Sequence, residues 1–353
     1  MIFLSEKMGR ACFKMSNPPS ITTFSAVGGK KENEGPLGKF FDKINDDPYF
    51  STDTYEQGES QLQKQAVRLA LEKGKLKNDD IDFIFGGDLL NQCVGTTFGI
   101  MEYNIPFLGI YGACSTMSEG LLLSSLCVDN KIGERVLAVT SSHYCTAERQ
   151  YRMPVDYGGQ RAPTSQWTAT ASGCLVVENS GNPPFVRGVC IGKIVDLNVT
   201  DANNMGAAMA PAAADTVKRF LDAFEMKPDD FDYIVTGDLG KVGSSLFCEL
   251  LEKENINVYK KHTDCGLMLY DFSDNDVNSG ASGCGCAASV LCGYFLPKLK
   301  SGELKNILFC ATGALLSTTI NQQGQPIPSI SHGVWISNEK NNLDFKFKQR
   351  GGV

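Results

Sequence analysis

Two stretches of this chain carry the same hydrophobic pattern. Gln61–Lys73 (QLQKQAVRLALEK) and Ala213–Phe224 (AADTVKRFLDAF) place apolar residues at helical spacing on one face, which predicts two amphipathic helices. Closely similar segments follow, Lys77–Leu90 (KNDDIDFIFGGDLL) and Lys227–Gly240 (KPDDFDYIVTGDLG), identical at eight of fourteen positions. In each, paired aspartates predict a turn with capping carboxylates, and the apolar run after them a short strand ending in Gly-Asp. A period of 150 residues is too long for a solenoid and reads as an internal duplication.

Downstream the copies keep step. Ile105–Tyr111 (IPFLGIY) predicts a buried strand, Ser115–Asp129 (STMSEGLLLSSLCVD) a helix and Arg135–Thr140 another strand. In the second copy a helix starts at Cys284 or Cys286, runs through AASVLCGYFL, and precedes a strand at Asn306–Ala311. Met117, Leu121, Leu122, Leu123 and Leu126 leave the first helix almost no polar face. Val290, Leu291, Tyr294, Phe295 and Leu296 do the same for the second. Two helices buried on all sides, each flanked by strands, predict a pair held between two sheets. Amphipathic helices would cover the outside, giving an α/β fold of five layers, α-β-α-β-α. Glu178–Pro184 (ENSGNPP) reads as the linker between halves at 1–180 and 181–353, and Gly333–Ser337 (GVWIS) as the final strand.

Composition narrows the function. A formal charge of −7 argues against general nucleic-acid binding, and the basic clusters Lys73–Lys77 and Lys298–Lys300 read as solvated helix ends. The thirteen cysteines are odd in number and irregularly spaced, without paired CxxC zinc spacing. The start, MIFLSEKMGR, does not read as a secretory leader, so reduced thiols in an intracellular compartment are expected. No apolar run reaches the roughly 18–20 residues of a membrane span, so any membrane role is expected to be peripheral.

The chemistry centres on Cys114, in GIYGACSTMSEG at a strand-to-helix junction. At a helix N-terminus, unpaired N–H groups and the helix dipole favour a thiolate; the plainer alternative is a small residue packed in a tight turn. Duplication supplies a second such terminus at Cys284–Cys286, and paired helix ends suit an anion. Asp88 and Asp238, the matching Gly-Asp carboxylates, are candidate site groups, or else simple turn caps. His143, Arg149 and Arg152 follow a predicted strand and GGQRAP supplies Arg161; these cations could meet an anionic group or form ordinary surface or dimer-interface pairs. His332, after the polar loop Ser317–Ser331, is a further candidate beside a structural alternative.

The five-layer arrangement with a cysteine on the first buried helix resembles the thiolase and ketoacyl-synthase superfamily. GPLGKFFDKINDD (35–47), FGGDLLNQ (85–92), YGACSTMSEG (111–120), TSSHYCTAERQYR (140–152), YGGQRAPTSQWT (157–168), NNMGAAMAPAAADT (203–216), VTGDLGKVG (235–243), SGCGCAASVL (282–291) and TGALLSTTINQQGQPIPSISH (312–332) resemble the stage V sporulation protein AD family. That resemblance spans nearly the whole chain. It implies a subunit of a membrane-associated complex that moves dipicolinic acid, with calcium, into the developing spore. It also implies binding of that ligand, partners among the other membrane proteins of the stage V sporulation A operon, a peripheral position at the spore inner membrane, and a homodimer.

Against the condensing enzymes the acid–base groups are missing. Thr236-Gly237-Asp238 stands where the initiating ketoacyl synthases carry a histidine, the SGCGCAAS turn near Cys284 where they carry an asparagine, and the thiolase glycine-histidine-proline motif is absent. Cys310 reads as a strand residue out of register with the second thiolase cysteine. A carboxylate in place of an imidazole opposes thiolate formation. No cofactor and no catalysis are expected; the rival reading is a Cys114-dependent acyltransferase, and a third is a dimeric scaffold with a vestigial cavity.

Overall fold

The computed structural model describes residues 5–152, 160–274 and 276–340. Tyr157–Gly159 of one motif quoted above lie outside these, as do the extreme ends of the chain.

Ten strands among the described residues build the two sheets. The first half supplies β1 (Ser20–Gly29), β2 (Phe83–Gly87), β3 (Phe107–Gly109), β4 (Arg135–Ser142) and β5 (Ala171–Glu178). The second supplies β6 (Phe185–Cys190), β7 (Tyr233–Thr236), β8 (His262–Asp264), β9 (Asn306–Ala314) and β10 (Ser329–Ser337). In space the order is β3-β2-β4-β5-β1, then β6-β10-β9-β7-β8. Each half is the same mixed sheet: β2 is parallel to β3 and β4, β5 antiparallel to β4 and β1. Likewise β7 is parallel to β8 and β9, and β10 antiparallel to β9 and β6. The halves meet at one strand pair, Phe185 opposite Ser20. A ribbon of two short strands, Glu6–Gly9 and Cys12–Lys14, adds to β6.

The helices obey the same duplication. α1 (Tyr55–Gly74), α2 (Val94–Ile100), α3 (Thr116–Asp129) and α4 (Tyr144–Tyr151) recur as α5 (Met205–Phe224), α6 (Gly240–Lys253), α7 (Cys284–Val290) and α8 (Thr318–Gln322). α7 continues through a π-helical turn, Leu291–Phe295, into Leu296–Ser301. α3 packs against strands of both sheets, whereas α1 covers the first sheet and α5 the second. The layers are therefore α1/α2, sheet, α3/α7, sheet, α5/α6, which is the five-layer arrangement expected.

Why these segments adopt these elements is legible locally. Asp80 and Asp230 each accept the N–H of the lysine three residues earlier at 2.7 Å, closing equivalent 3-10 turns. Asp82 and Asp232 then clamp the starts of β4 and β9 by accepting two backbone N–H groups each. Between the sheets, Met117, Leu121 and Leu122 meet Val290, Leu291 and Phe295 among fully buried strand residues such as Leu175 and Phe309. The serines of α3 fit this apolar layer because Ser118 and Ser125 return their hydroxyls to carbonyls one turn back.

Two expectations change. The strand at Ile105–Tyr111 is short, and its Phe107 and Leu108 are 38% and 52% exposed, not buried. β3 is the outermost strand and touches only β2, so its far edge has no described neighbour. The outer helices also begin earlier than their periodicity suggests. The first turns of α5, MGAAMAPA, are alanine-rich and show no polar contrast to read.

Candidate functional site

Cys114 sits in the 3-10 turn Ala113–Ser115 that leads into α3, where Ala113 adopts the left-handed region at φ 50°. Gly313, on β9 of the other half, packs so tightly that a Cβ there would lie 2.1 Å from the Gly112 carbonyl oxygen. The turn bearing the cysteine is thus pressed against the second sheet, and the site is built at the junction of the duplicated halves. Leu89, Ala113, Cys114, Ala147 and Cys284 form its own small buried cluster.

The cavity over Cys114 is lined by Leu89, Tyr111, Tyr151, Arg152, Met205 and Leu316, with Thr168 and Ser282 as polar spots. Its free volume is about 30 Å³, room for one or two waters. Tyr111 and Tyr151 share a hydroxyl–hydroxyl hydrogen bond of 3.0 Å, and Tyr151 also donates to the Leu89 carbonyl.

Asp238 dominates the electrostatics. Its carboxylate accepts the Gly283 N–H at 2.9 Å, the Ser282 hydroxyl at 3.2 Å and the Thr312 hydroxyl at 2.8 Å. The Gly283 N–H belongs to the start of α7, so this helix end already holds an anion, the protein's own. The Cys114 thiol and this carboxylate are near enough to act on each other's ionisation. Burial, and then the charge of Asp238, push the Cys114 thiol well above its ordinary range. Burial likewise raises Asp238 to about 6, with the Gly283, Cys114 and Thr312 hydrogen bonds holding it back. At neutral pH the pair is a thiol facing a carboxylate, so the helix-end effect on Cys114 is outweighed.

The remaining sequence candidates divide between the cavity and elsewhere. Cys284 lies in the cavity cluster, but its thiol donates to the Ser141 carbonyl at 2.8 Å. Asp88 is buried as a cap: it accepts from the N–H of Leu90, and from the N–H and hydroxyl of Thr96 in α2. Asp88 and Asp238 are therefore pseudo-equivalent in sequence but divergent in role, one fixing a turn and the other reaching Cys114. His143 caps α4, accepting the Cys145 N–H at Nδ1 while its Nε2–H donates to the Pro48 carbonyl at 2.7 Å. Arg149 points outward to Glu56 at 2.7 Å. Arg161 pairs with Glu148 at 2.9 Å and donates to the Gln166 carbonyl beside the Tyr144–Trp167 stack. His332 sits on β10 opposite Ala311 and accepts the Gly192 N–H, and Cys310 is a buried residue of β9.

All three histidines are pushed below their ordinary range by burial, and none lines the cavity. The cation that does line it is Arg152. Arg152 pairs with Glu148, but its buried Nε–H has no hydrogen-bond partner among the described residues. No group of three or more His, Cys, Asp or Glu side chains among the described residues is placed to hold a metal ion.

Two pseudo-equivalent mixed sheets enclosing paired helices, with a cysteine at the turn into the first of them, define a thiolase-fold protein. Solved structures agree. The chain is similar to 3-oxoacyl-[acyl-carrier-protein] synthase III from Aquifex aeolicus VF5 at 14% identity and TM-score 0.57, over 90% of this chain and 99% of that one. It is similar to a cerulenin-bound variant of OleA from Xanthomonas campestris at 12% identity and TM-score 0.60, over 95% of this chain and 100% of that one. Sequence comparison goes further. Residues 9–337 match the family model for stage V sporulation protein AD. The chain is 42% identical to the stage V sporulation protein AD of Bacillus subtilis (strain 168) over 326 residues, 92% of this chain and 96% of that protein. The chain belongs to the stage V sporulation protein AD family.

Proposed function

We propose that this protein is a non-catalytic binding subunit for dipicolinate, accompanied by calcium, and that it serves uptake of that ligand into the developing spore. One observation carries the reading: among the described residues, the lining of the Cys114 cavity includes Arg152, whose buried Nε–H lacks an acceptor, and includes no imidazole. A cavity of that make-up can hold a carboxylate but has no imidazole to ionise the thiol, and the charge of Asp238 beside it disfavours a thiolate. Calcium is carried here as the ligand's counter-ion, not as a resident metal. With only about 30 Å³ free, a pyridine dicarboxylate enters when the Tyr111–Tyr151 wall swings aside.

Titration calorimetry with dipicolinate, with and without calcium, tests this. Binding at millimolar concentration or tighter is expected, and Arg152→Ala should weaken it by roughly 10- to 150-fold, the worth of a charge-assisted hydrogen bond. Absence of binding at millimolar ligand would remove the reading. The rival, acyl transfer through Cys114, is favoured by the position of the cysteine alone; it requires an acyl adduct by intact mass after incubation with acyl-CoA thioesters, lost in Cys114→Ser.

We also propose a homodimer formed along the free edge of β3, where unpaired backbone groups and the exposed Phe107 and Leu108 invite a second copy. No helix among the described residues is long and apolar enough to cross a membrane. A peripheral position at the spore inner membrane, held by the membrane proteins of the same operon, is consistent with that.

A further inference from the structure

Away from the Cys114 cavity, two cysteines from opposite ends of the first 190 residues meet. We propose that Cys12 and Cys190 form a reversible redox pair that closes to a disulfide when the protein meets a peroxide.

The register makes the bond geometrically available. Cys12, on the N-terminal ribbon, is the direct cross-strand partner of Cys190 on β6. On either side of them Ile191 donates to the Ala11 carbonyl at 2.8 Å and Met15 to the Arg187 carbonyl at 3.0 Å. These bonds make Cys12–Cys190 a non-hydrogen-bonded pair, the type whose Cα atoms approach to about 4.5 Å, within the span of roughly 4.4–6.8 Å that a disulfide bridges. The sulfurs are 2.8 Å apart, inside the roughly 3.5–4.0 Å of an ordinary nonbonded contact.

The surroundings divide the two roles. The two sulfurs share a hydrogen bond, and Arg219 is near enough to both to act on their charge. Sharing that proton lowers the Cys12 thiol from its usual range and raises Cys190, as expected for a thiolate beside its resolving thiol. Cys12 thiolate attacks the peroxide oxygen and the O–O bond breaks; with one proton taken up, sulfenic acid and water form. The Cys190 sulfur then displaces hydroxide from that sulfenic acid, and its own proton completes a second water. In sum, two thiols and one hydrogen peroxide give one disulfide and two waters. Both side chains are buried, so peroxide arrives when the ribbon opens locally; its outer strand, Glu6–Gly9, is exposed or half-buried.

Cys310 offers the discriminating control. It lies two strands along from Cys190, on the other side of Gly333 of β10, where a Cβ would stand 3.5 Å from the Cys310 sulfur and 3.7 Å from the Cys190 Cβ. Full-length protein treated with hydrogen peroxide under native conditions should lose about 2 Da by intact mass. Non-reducing peptide mapping should join the Cys12 and Cys190 peptides, and dithiothreitol should reverse both changes. The bond spans 178 residues, so the oxidised form should melt about 5 °C or more above the reduced form. Cys12→Ser should abolish the link and Cys310→Ser should keep it. Mapping to Cys190–Cys310 or any other pair would overturn the proposal. So would oxidation of wild type without that mass loss, or a Cys12 that proceeds to sulfinic acid unlinked. Wild-type mapping alone decides the matter if a variant fails to fold.

Discussion

Replacing Asp238 by asparagine should wake the Cys114 thiol. The substitution keeps an oxygen for the Gly283 N–H while removing the charge that faces the sulfur. Two unit charges about 4 Å apart at an effective dielectric of about 20 repel by about 4 kcal/mol. Relieving that repulsion raises the thiolate population by roughly a thousand-fold. A thiolate of lower pKa is intrinsically a weaker nucleophile, with a Brønsted coefficient of about 0.4–0.5, which trims the gain in rate to roughly thirty-fold. Burial still holds the thiol above its ordinary range in the variant, so the whole gain is visible at pH 8. The assay is modification by methyl methanethiosulfonate, followed at the Cys114 peptide so that half-buried Cys93, Cys127 and Cys145 do not confuse the count. Native circular dichroism establishes that the variant is folded. A folded Asp238→Asn protein whose Cys114 reacts no faster than wild type would refute the claim that this carboxylate silences the thiol.

Other consequences are equally direct. His332 is pushed by burial from 6.5 to about 4 and accepts a hydrogen bond at Nδ1. The folded state thus binds fewer protons than the unfolded chain between these values. Its contribution is lost as pH falls from about 6.5 to about 4, amounting to about 3 kcal/mol; in urea unfolding at several pH values, His332→Gln should lose that part of the slope. Asp238 has the opposite sign: raised to about 6, it is neutralised as pH falls through that value, so dipicolinate should bind more tightly at pH 5.5 than at pH 7.5 by calorimetry. Gly285→Ala would drive a Cβ to 2.1 Å from the Ala171 carbonyl, and should cost about 3 kcal/mol or more by denaturant unfolding. Leu108→Lys on the exposed edge strand should shift a dimer to monomer in light scattering without altering the melting temperature of the subunit.

The layers were legible because duplication printed them twice. Once two amphipathic helices, two DD turns and two all-apolar helices recur in one order, the sandwich is nearly forced. The exposure of β3 was not legible, since an apolar run such as IPFLGIY looks the same in the middle of a sheet and at its rim. Around the cavity, Cys114 was found by its position between strand and helix. The choice among Arg149, Arg152 and Arg161 failed to single out Arg152 because it depends on where α4 begins. With His143 fixed as the cap, Ala147 and Tyr151 fall four residues apart on the inward face, and Glu148 and Arg152 follow beside them. Arg149 then points away. Asp88 and Asp238 could not be separated from sequence, because the motif around them is shared while their partners differ, Thr96 and Leu90 for one and Thr312, Ser282 and Gly283 for the other.

That Asp238 caps the start of α7 changes what arrival of a ligand means. On the proposed binding role, the berth at that helix end already has a tethered tenant, present at very high local concentration and never diffusing away. A newcomer bearing a single acid group would merely swap one oxygen anion for another at that helix end. Selectivity for molecules with two acid arms, or with a cation in tow, would then follow from the exchange itself, because only they bring a second grip that the resident side chain lacks.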